Sequence, residues 1–268
     1  MSAIDAFKAK NQDPSGIFVL PASGSDPAKV DLTISGNTVG GNRSAGIVAV
    51  GGGIRVLANR LGVGPTSLRD LGNDGPALTI DSADGEVRGN LVGFNVSGIT
   101  AAGTGLVVAD NQVGQPAADE TDIGNDGDGI NVTGSGKVTG NVVGHNGGDG
   151  IDLSSAAKVE VRGNRIAAND DAGIRSQATD GTIIRDNRLG LSATDAARPN
   201  GQGIRITAGT VLVKGNRIGA STAEAISVDP SATATLTANA VYRTGAAKPI
   251  VATAPPAPPA PTVGFAVR

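Results

Sequence analysis

The chain contains no cysteine, so neither disulfides nor thiolate metal sites can hold its fold. It has no tryptophan, one tyrosine and four phenylalanines. Sugar grooves usually offer aromatic platforms, and only Phe94 and Tyr242 are available for that use. No apolar run approaches transmembrane length, so membrane insertion is not expected. A secretory leader needs a basic start followed by an apolar stretch, and Met1 to Lys10 is amphipathic instead. The net charge of -3 gives no general reason to expect a nucleic-acid partner. Serine-nucleophile, phosphate-loop and nucleotide-binding motifs are missing, and Gly-rich strings such as GGNRSAGI come from a repeat. No cofactor and no metal site is expected.

What the chain has is glycine, 41 residues of it, together with Val, Ile and Ala. That mixture suits short strands separated by tight turns and disfavours long helices. A tetrad recurs nine times: apolar, any residue, small or Asp, then Asn. The asparagines are Asn37, Asn59, Asn90, Asn111, Asn141, Asn164, Asn187, Asn216 and Asn239, and the residue two beyond each is aliphatic, from Val39 to Val241. A second register runs in phase with it, a Gly-Ile-like pair at Ile17, Ile47, Leu78, Ile99, Ile130, Ile151, Ile174, Ile204, Ile226 and Ile250. Such a period means a repeat architecture.

One unit, Ile151 to Ala172, holds apolar residues at Ile151 and Leu153, at Val159 and Val161, and at Ile166, each group flanked by Ser, Gly, Asn or Asp. That pattern predicts three short strands joined by three bends. Alternation puts these aliphatics on one face and Asp152, Glu160 and Arg165 on the other. Closing the strands into a coil buries the apolar face, and each further unit stacks in parallel about 4.8 Å along the axis. The Asn at the bend tolerates left-handed backbone geometry, and its amide can donate and accept between coils. The nine asparagines are therefore expected to form a structural ladder. The expected fold is all-β, a single-stranded right-handed parallel β-helix, a solenoid of about nine to ten coils. Its expected divisions are an N-terminal cap over 1–15 with a short helix carrying Ile4 and Phe7, the β-helix over 16–251, and a Pro-rich tail over 252–268 with a strand-like end at Val263, Phe265 and Val267.

The segments VTGNVVGHNGGDGIDL (138–153) and VRGNRIAANDDAGIRS (161–176) resemble the right-handed parallel β-helix repeats of the pectin-lyase-like superfamily. The longer units at 59–80, 111–132 and 187–206 resemble repeats of large bacterial surface β-helix proteins. The resemblance covers most of the chain and implies a fold more than a function, since the superfamily includes lyases, hydrolases, phage spikes and non-enzymatic surface proteins.

Short units place a second Asn two residues after a Gly, as at Asn95 and Asn146, whereas long units insert eight or nine residues there. The inserts, about 63–71, 115–123 and 191–198, leave at one corner and read either as a binding wall or as drift in tolerant loops. The middle one carries Asp119, Glu120 and Asp122, read as solvated charge.

Two outward columns of cations are expected, Arg165, Arg188 and Arg217 just after their Asn, and Arg162, Arg185 and Lys214 two before it. Like charges on adjacent strands repel, so these columns need counter-charges or a ligand. They read as a ligand-binding site for an acidic polysaccharide, or as stacked arginine stems shielding aliphatic surface. An acidic column of Asp128, Asp149, Asp152 and Asp171 with Arg175 is the alternative, catalytic set, able to serve acid/base chemistry on sugars. Against catalysis, Asp-Gly before a strand is often merely a bend, and His145 stands where an equivalent unit has Phe94. No pair of Asp-Asp and Gly-His-Gly segments is found in the right relation. The reading is a non-catalytic surface, spike or adhesin-like module that binds an acidic glycan or a protein partner. Extracellular, cell-surface or virion placement and a homotrimer would suit it. A polysaccharide lyase or glycoside hydrolase, and a purely structural spacer, are the alternatives.

Overall fold

The computed structural model describes residues 15–22, 26, 30–118, 120–154, 156, 158–177, 181–242 and 250–252. The expected cap helix with Ile4 and Phe7, and the tail beyond Ala252, lie outside these residues. Within them all regular structure is β, and no helix occurs. Three short strands per turn build three parallel sheets of ten, nine and nine strands. The first sheet gathers the Gly-Ile strands from Ile17–Val19 to Ile250–Ala252. The second gathers the strands that precede each ladder asparagine, Leu32–Ser35 to Ala232–Thr237, and the third those that follow it, Thr38–Val39 to Ala240–Val241. Within a sheet each strand pairs with the strands one coil before and one coil after it.

The registers predicted from sequence are the ones formed. Ile47, Leu78, Ile99, Ile130, Ile151, Ile174, Ile204 and Ile226 are successive partners in the first sheet, and all are buried. Val56, Val87, Val108, Val138, Val161, Ile184 and Val213 do the same in the second, Leu61 to Ile218 in the third. Each side chain so buried is worth roughly 1.5–3 kcal/mol. Stacking similar shapes in columns lets the interior close without voids.

The nine asparagines form the expected ladder. Asn164 is representative: its backbone N–H and its Nδ2 both donate to Asn187 Oδ1, each at 3.0 Å, and Nδ2 also donates to Val138 O at 2.9 Å. Its own Oδ1 accepts from the N–H and Nδ2 of Asn141, each at 2.9 Å. The seven inner members are buried, while Asn37 and Asn239 at the ends are half-buried.

A second ladder runs at the corner after the third sheet, through Asn42, Asn73, Asn95, Asn125, Asn146, Asn169 and Asn200. The long units thus do not replace the second Asn with an insert; they return to it. Long coils advance 29 to 31 residues between first-ladder asparagines and short ones 21 to 23, yet both ladders stay in step. Each insert departs at a left-handed glycine, Gly62, Gly114 or Gly190, with φ of 66 to 77°. A Cβ there would sit within 2.1 Å of a carbonyl oxygen of the next coil, so glycine is required twice over.

At the far end, Ala232, Ala234, Leu236 and Val241 face inward yet are only partly buried. Among the described residues only Ile250–Ala252 stack beyond that coil. No helix among the described residues is long and apolar enough to cross a membrane.

Candidate functional site

Both cation columns form, since Arg165, Arg188 and Arg217 are successive register partners, as are Arg162, Arg185 and Lys214. Most of their charge is met inside the chain. Arg188 and Arg217 lie 2.7 and 3.1 Å from Asp195 of the third insert. Arg165 pairs with Glu120 of the middle insert and donates to Ala117 O at 3.2 Å. Arg185 reaches Glu160 at 2.6 Å and Asp186 at 2.8 Å, and Arg162 lies 3.8 Å from Asp186. Lys214 is exposed and makes no ion pair among the described residues. The slot after the ladder Asn does the same work beneath the other inserts. Arg60 donates to Gly64 O at 2.5 Å and Ser67 O at 2.8 Å, and Gln112 accepts from Ala117 N–H at 2.8 Å. Side chains there pin the inserts.

Glu120 is not the solvated charge expected of it. Its carboxylate also accepts from Ala193 N–H at 2.9 Å and lies 3.7 Å from Arg198, so it ties the middle insert to the third. The Ala193 hydrogen bond and the neighbouring Arg165 and Arg198 hold it below the ordinary glutamate range. Asp122 is exposed and accepts from Gly124 N–H at 2.8 Å. Asp119 lies outside the described residues.

The acidic column has a partly structural cause. Asp128 Oδ1 accepts from Asp149 N–H at 2.7 Å, and Asp149 Oδ1 from Ala172 N–H at 2.8 Å. This short ladder of carboxylates ends where the next coil has Ala172. Burial pushes the Asp149 carboxyl up from 3.8 to about 6; the Ala172 hydrogen bond opposes the shift, Asp128 and Asp152 add to it, and Arg175 opposes it. Asp152 faces outward by alternation but is only 4% exposed. Its pKa is raised, chiefly by burial. Oδ2 accepts from Asn131 Nδ2 at 3.0 Å, whereas Oδ1 is buried with no hydrogen-bond partner among the described residues.

Arg175 is the register partner of Asp152 and lies 3.7 Å from Asp149. Its Nε is also buried, with no hydrogen-bond partner among the described residues. Arg205, the next partner along, is exposed and makes no ion pair among the described residues. Asp149, Asp171, Arg175 and Arg205 line an open groove of about 380 Å³, deepened because Ala172, Gly201 and Ala223 are small. The structure therefore gathers Asp149, Asp171 and Arg175 of the alternative set on one groove, with Asp128 and Asp152 adjoining. Arg205 escaped the sequence reading although it carried a signal, following its Gly-Ile pair as Arg175 follows its own. Among the described residues no group of three or more acidic or His side chains is arranged to hold a metal.

A family model described as the right handed beta helix region matches residues 104–254, more than half of the chain. The chain belongs to the right-handed β-helix family. No curated protein matches it. Among solved structures it is similar to the A-module of Azotobacter vinelandii mannuronan C-5 epimerase AlgE4, with a TM-score of 0.53 at 14% identity, covering 94% of this chain and 93% of that one. The AlgE6 A-module gives 0.50 at 14% identity, covering 96% and 94%. The Dettilon tailspike protein gp208 gives 0.50 at 13%, covering 89% of this chain; this chain spans 61% of the tailspike's length. At such identities the likeness is one of fold, the parallel β-helix of the pectin-lyase-like kind.

Proposed function

We propose that this chain is a non-catalytic β-helix module of the surface, spike or adhesin kind that binds an acidic glycan in the groove over Asp149, Arg175 and Arg205. The observation that carries this reading is the pairing of Arg175 and Arg205 as register partners on one groove, with Arg205 exposed and in no ion pair among the described residues. A ligand carboxylate answers that charge, since guanidiniums suit it as planar forks. That the fold is shared with a tailspike and with mannuronan epimerase modules supports a polysaccharide ligand. The columns of Arg162, Arg165, Arg185, Arg188, Lys214 and Arg217 are a weaker face for such a ligand, because it must first displace Glu160, Asp186, Glu120 and Asp195.

The second reading, a polysaccharide lyase or hydrolase, is favoured by Asp149 alone. A carboxyl that keeps its proton up to about pH 6 beside a second carboxyl can act as a general acid. An acidic-glycan array, read together with reducing-end and unsaturated-product assays at pH 6, separates the two. Binding without product, lost in Arg205→Gln and kept in Arg162→Gln, supports the display role. Product that disappears in a folded Asp149→Asn variant establishes the enzyme, and absence of any ligand leaves a structural spacer.

A further inference from the structure

The groove continues beyond Asp170. That residue also lines a shallower depression of about 680 Å³ whose walls include Phe94, Asp122, Asp126 and His145. The two depressions meet at Asp170 and follow one another along the second-ladder corner. Phe94, Gly124, His145 and Ala168 take the same place in successive coils, each just before a second-ladder asparagine. Backbone contacts stack them: Phe94 N–H donates to Gly124 O at 3.0 Å and His145 N–H to Ala168 O at 2.9 Å. A Cβ on Gly124 would fall 1.9 Å from His145 O. Phe94 and His145 therefore stand two coils apart, about 10 Å, with the bare Gly124 between them. Both have left-handed φ, 62 and 59°, and both line the depression. From the Phe94 coil to the Ala223 coil is five steps, a trough about 24 Å long.

Acids line both depressions, but arginines line only one. The Phe94–His145 end carries Asp122, Asp126 and Asp170 with no Lys or Arg, Asp122 Oδ2 lying 3.7 Å from His145 Nδ1, whereas the other end sets Arg175 and Arg205 among Asp149, Asp170 and Asp171. An evenly anionic polymer would set carboxylates against carboxylates at the first end. Neutral sugars suit that end better, since their apolar faces can pack on the two rings and their hydroxyls can donate to the three acids.

We propose that the ligand is an extended heteropolysaccharide lying along the solenoid axis, with an acidic residue at Arg175 and Arg205 and neutral residues between and upon Phe94 and His145. This rests on the reading of the Arg175–Arg205 groove as an acidic-sugar site. It adds Phe94 and His145 as binding residues and a repeat of mixed charge as the ligand class.

Calorimetric titration with hyaluronan fragments, which alternate glucuronate and N-acetylglucosamine, tests both layers. The hexasaccharide should bind about tenfold more tightly than the disaccharide, and a mannuronate hexamer should bind more weakly than the hyaluronan hexamer. Phe94→Ala with His145→Ala should remove the length advantage and leave disaccharide binding unchanged. Alanine is tolerated in this slot, since Ala168 occupies it at a φ of 59°, and a thermal melt checks the fold. Arg205→Gln should weaken both fragments alike. A hexasaccharide no tighter than the disaccharide, or a length advantage that survives the double variant, overturns the trough while Arg205-dependent binding keeps the groove. A mannuronate hexamer that equals the hyaluronan one overturns the mixed-charge class. Failure of wild type to bind any of the three overturns both layers.

Discussion

Replacing Asn164 by Ala probes the first ladder within its buried stretch. The substitution removes Nδ2 donations to Val138 O and Asn187 Oδ1, and the Oδ1 that accepts from Asn141 N–H and Nδ2. Three of the four groups left behind keep another partner. Asn187 Oδ1 still accepts from Asn164 N–H, Asn141 Nδ2 still donates to Val108 O, and Val138 stays within its parallel strand pair. The Asn141 N–H loses its partner, so the expected loss is about 1–3 kcal/mol, the cost of one buried group left unpaired. Asn37 starts the ladder: it donates to Ser35 O and Asn59 Oδ1, and no ladder residue donates to it. Being half-buried it can use water instead, so Asn37→Ala should cost under about 1 kcal/mol. Urea unfolding of both variants measures the difference, with several spectroscopic probes, since solenoids can unfold in sections. Equal midpoints for the two would refute the accounting, because the chemistry removed is the same and only burial and the upstream donors differ.

Two further predictions concern titration. Glu120 has a lowered pKa in the folded chain, so its contribution is present above its unfolded value of 4.5 and is lost as pH falls through the folded value. Glu120→Gln should therefore flatten acid destabilisation in that range and speed hydrogen exchange at Ala193, which hydrogen-exchange mass spectrometry can follow at neutral pH. Asp149 has the opposite sign. Its pKa rises from 3.8 to about 6 on folding, so stability falls as pH climbs through that interval and stays lower above it. Asp149→Asn, which keeps an acceptor for Ala172 N–H, should stabilise the protein at pH 7.5 by about 1–3 kcal/mol and remove the slope between those values. A melt that shifts as much with pH as wild type would count against burial as the cause.

The solenoid was legible because its constraint is periodic. A coil must present the same residue type at the same corner each turn, so Asn, Gly-Ile and the flanking aliphatics are spelled out in the chain, and every predicted register is realised. What periodicity does not encode was missed. The partners of Arg165 and Arg217 are Glu120 and Asp195, 45 and 22 residues away on inserts that share no pattern. The columns therefore looked unbalanced when they were pinning loops. The second ladder was seen only at its short-unit members, because the inserts moved Asn73, Asn125 and Asn200 out of local spacing without moving them in space. Alternation placed Asp152 on the outer face, but it could not say that the position would be buried there. That burial is the source of the unpaired oxygen.

Regularity also explains where the candidate site lies. Each stacked column satisfies itself as long as the same residue recurs, and a break leaves something unmet. The slot two before the Gly-Ile isoleucine reads Asp128, Asp149, Ala172, Gln202 and Glu224 in successive coils. Below the break, Asp128 caps the next coil's N–H and so does Asp149; above it, Gln202 donates to Glu224 at 2.7 Å. Ala172 alone contributes neither donor nor acceptor from its side chain. The missing carboxylate opens the groove and leaves no further acid stacked on Asp149, while Arg175 and Arg205 line it as neighbours with Arg205 in no ion pair among the described residues. A rigid repeat can thus generate a site by omission: the backbone on either side is fixed by two intact asparagine ladders, so the gap cannot collapse and its polar groups stay presented to a ligand.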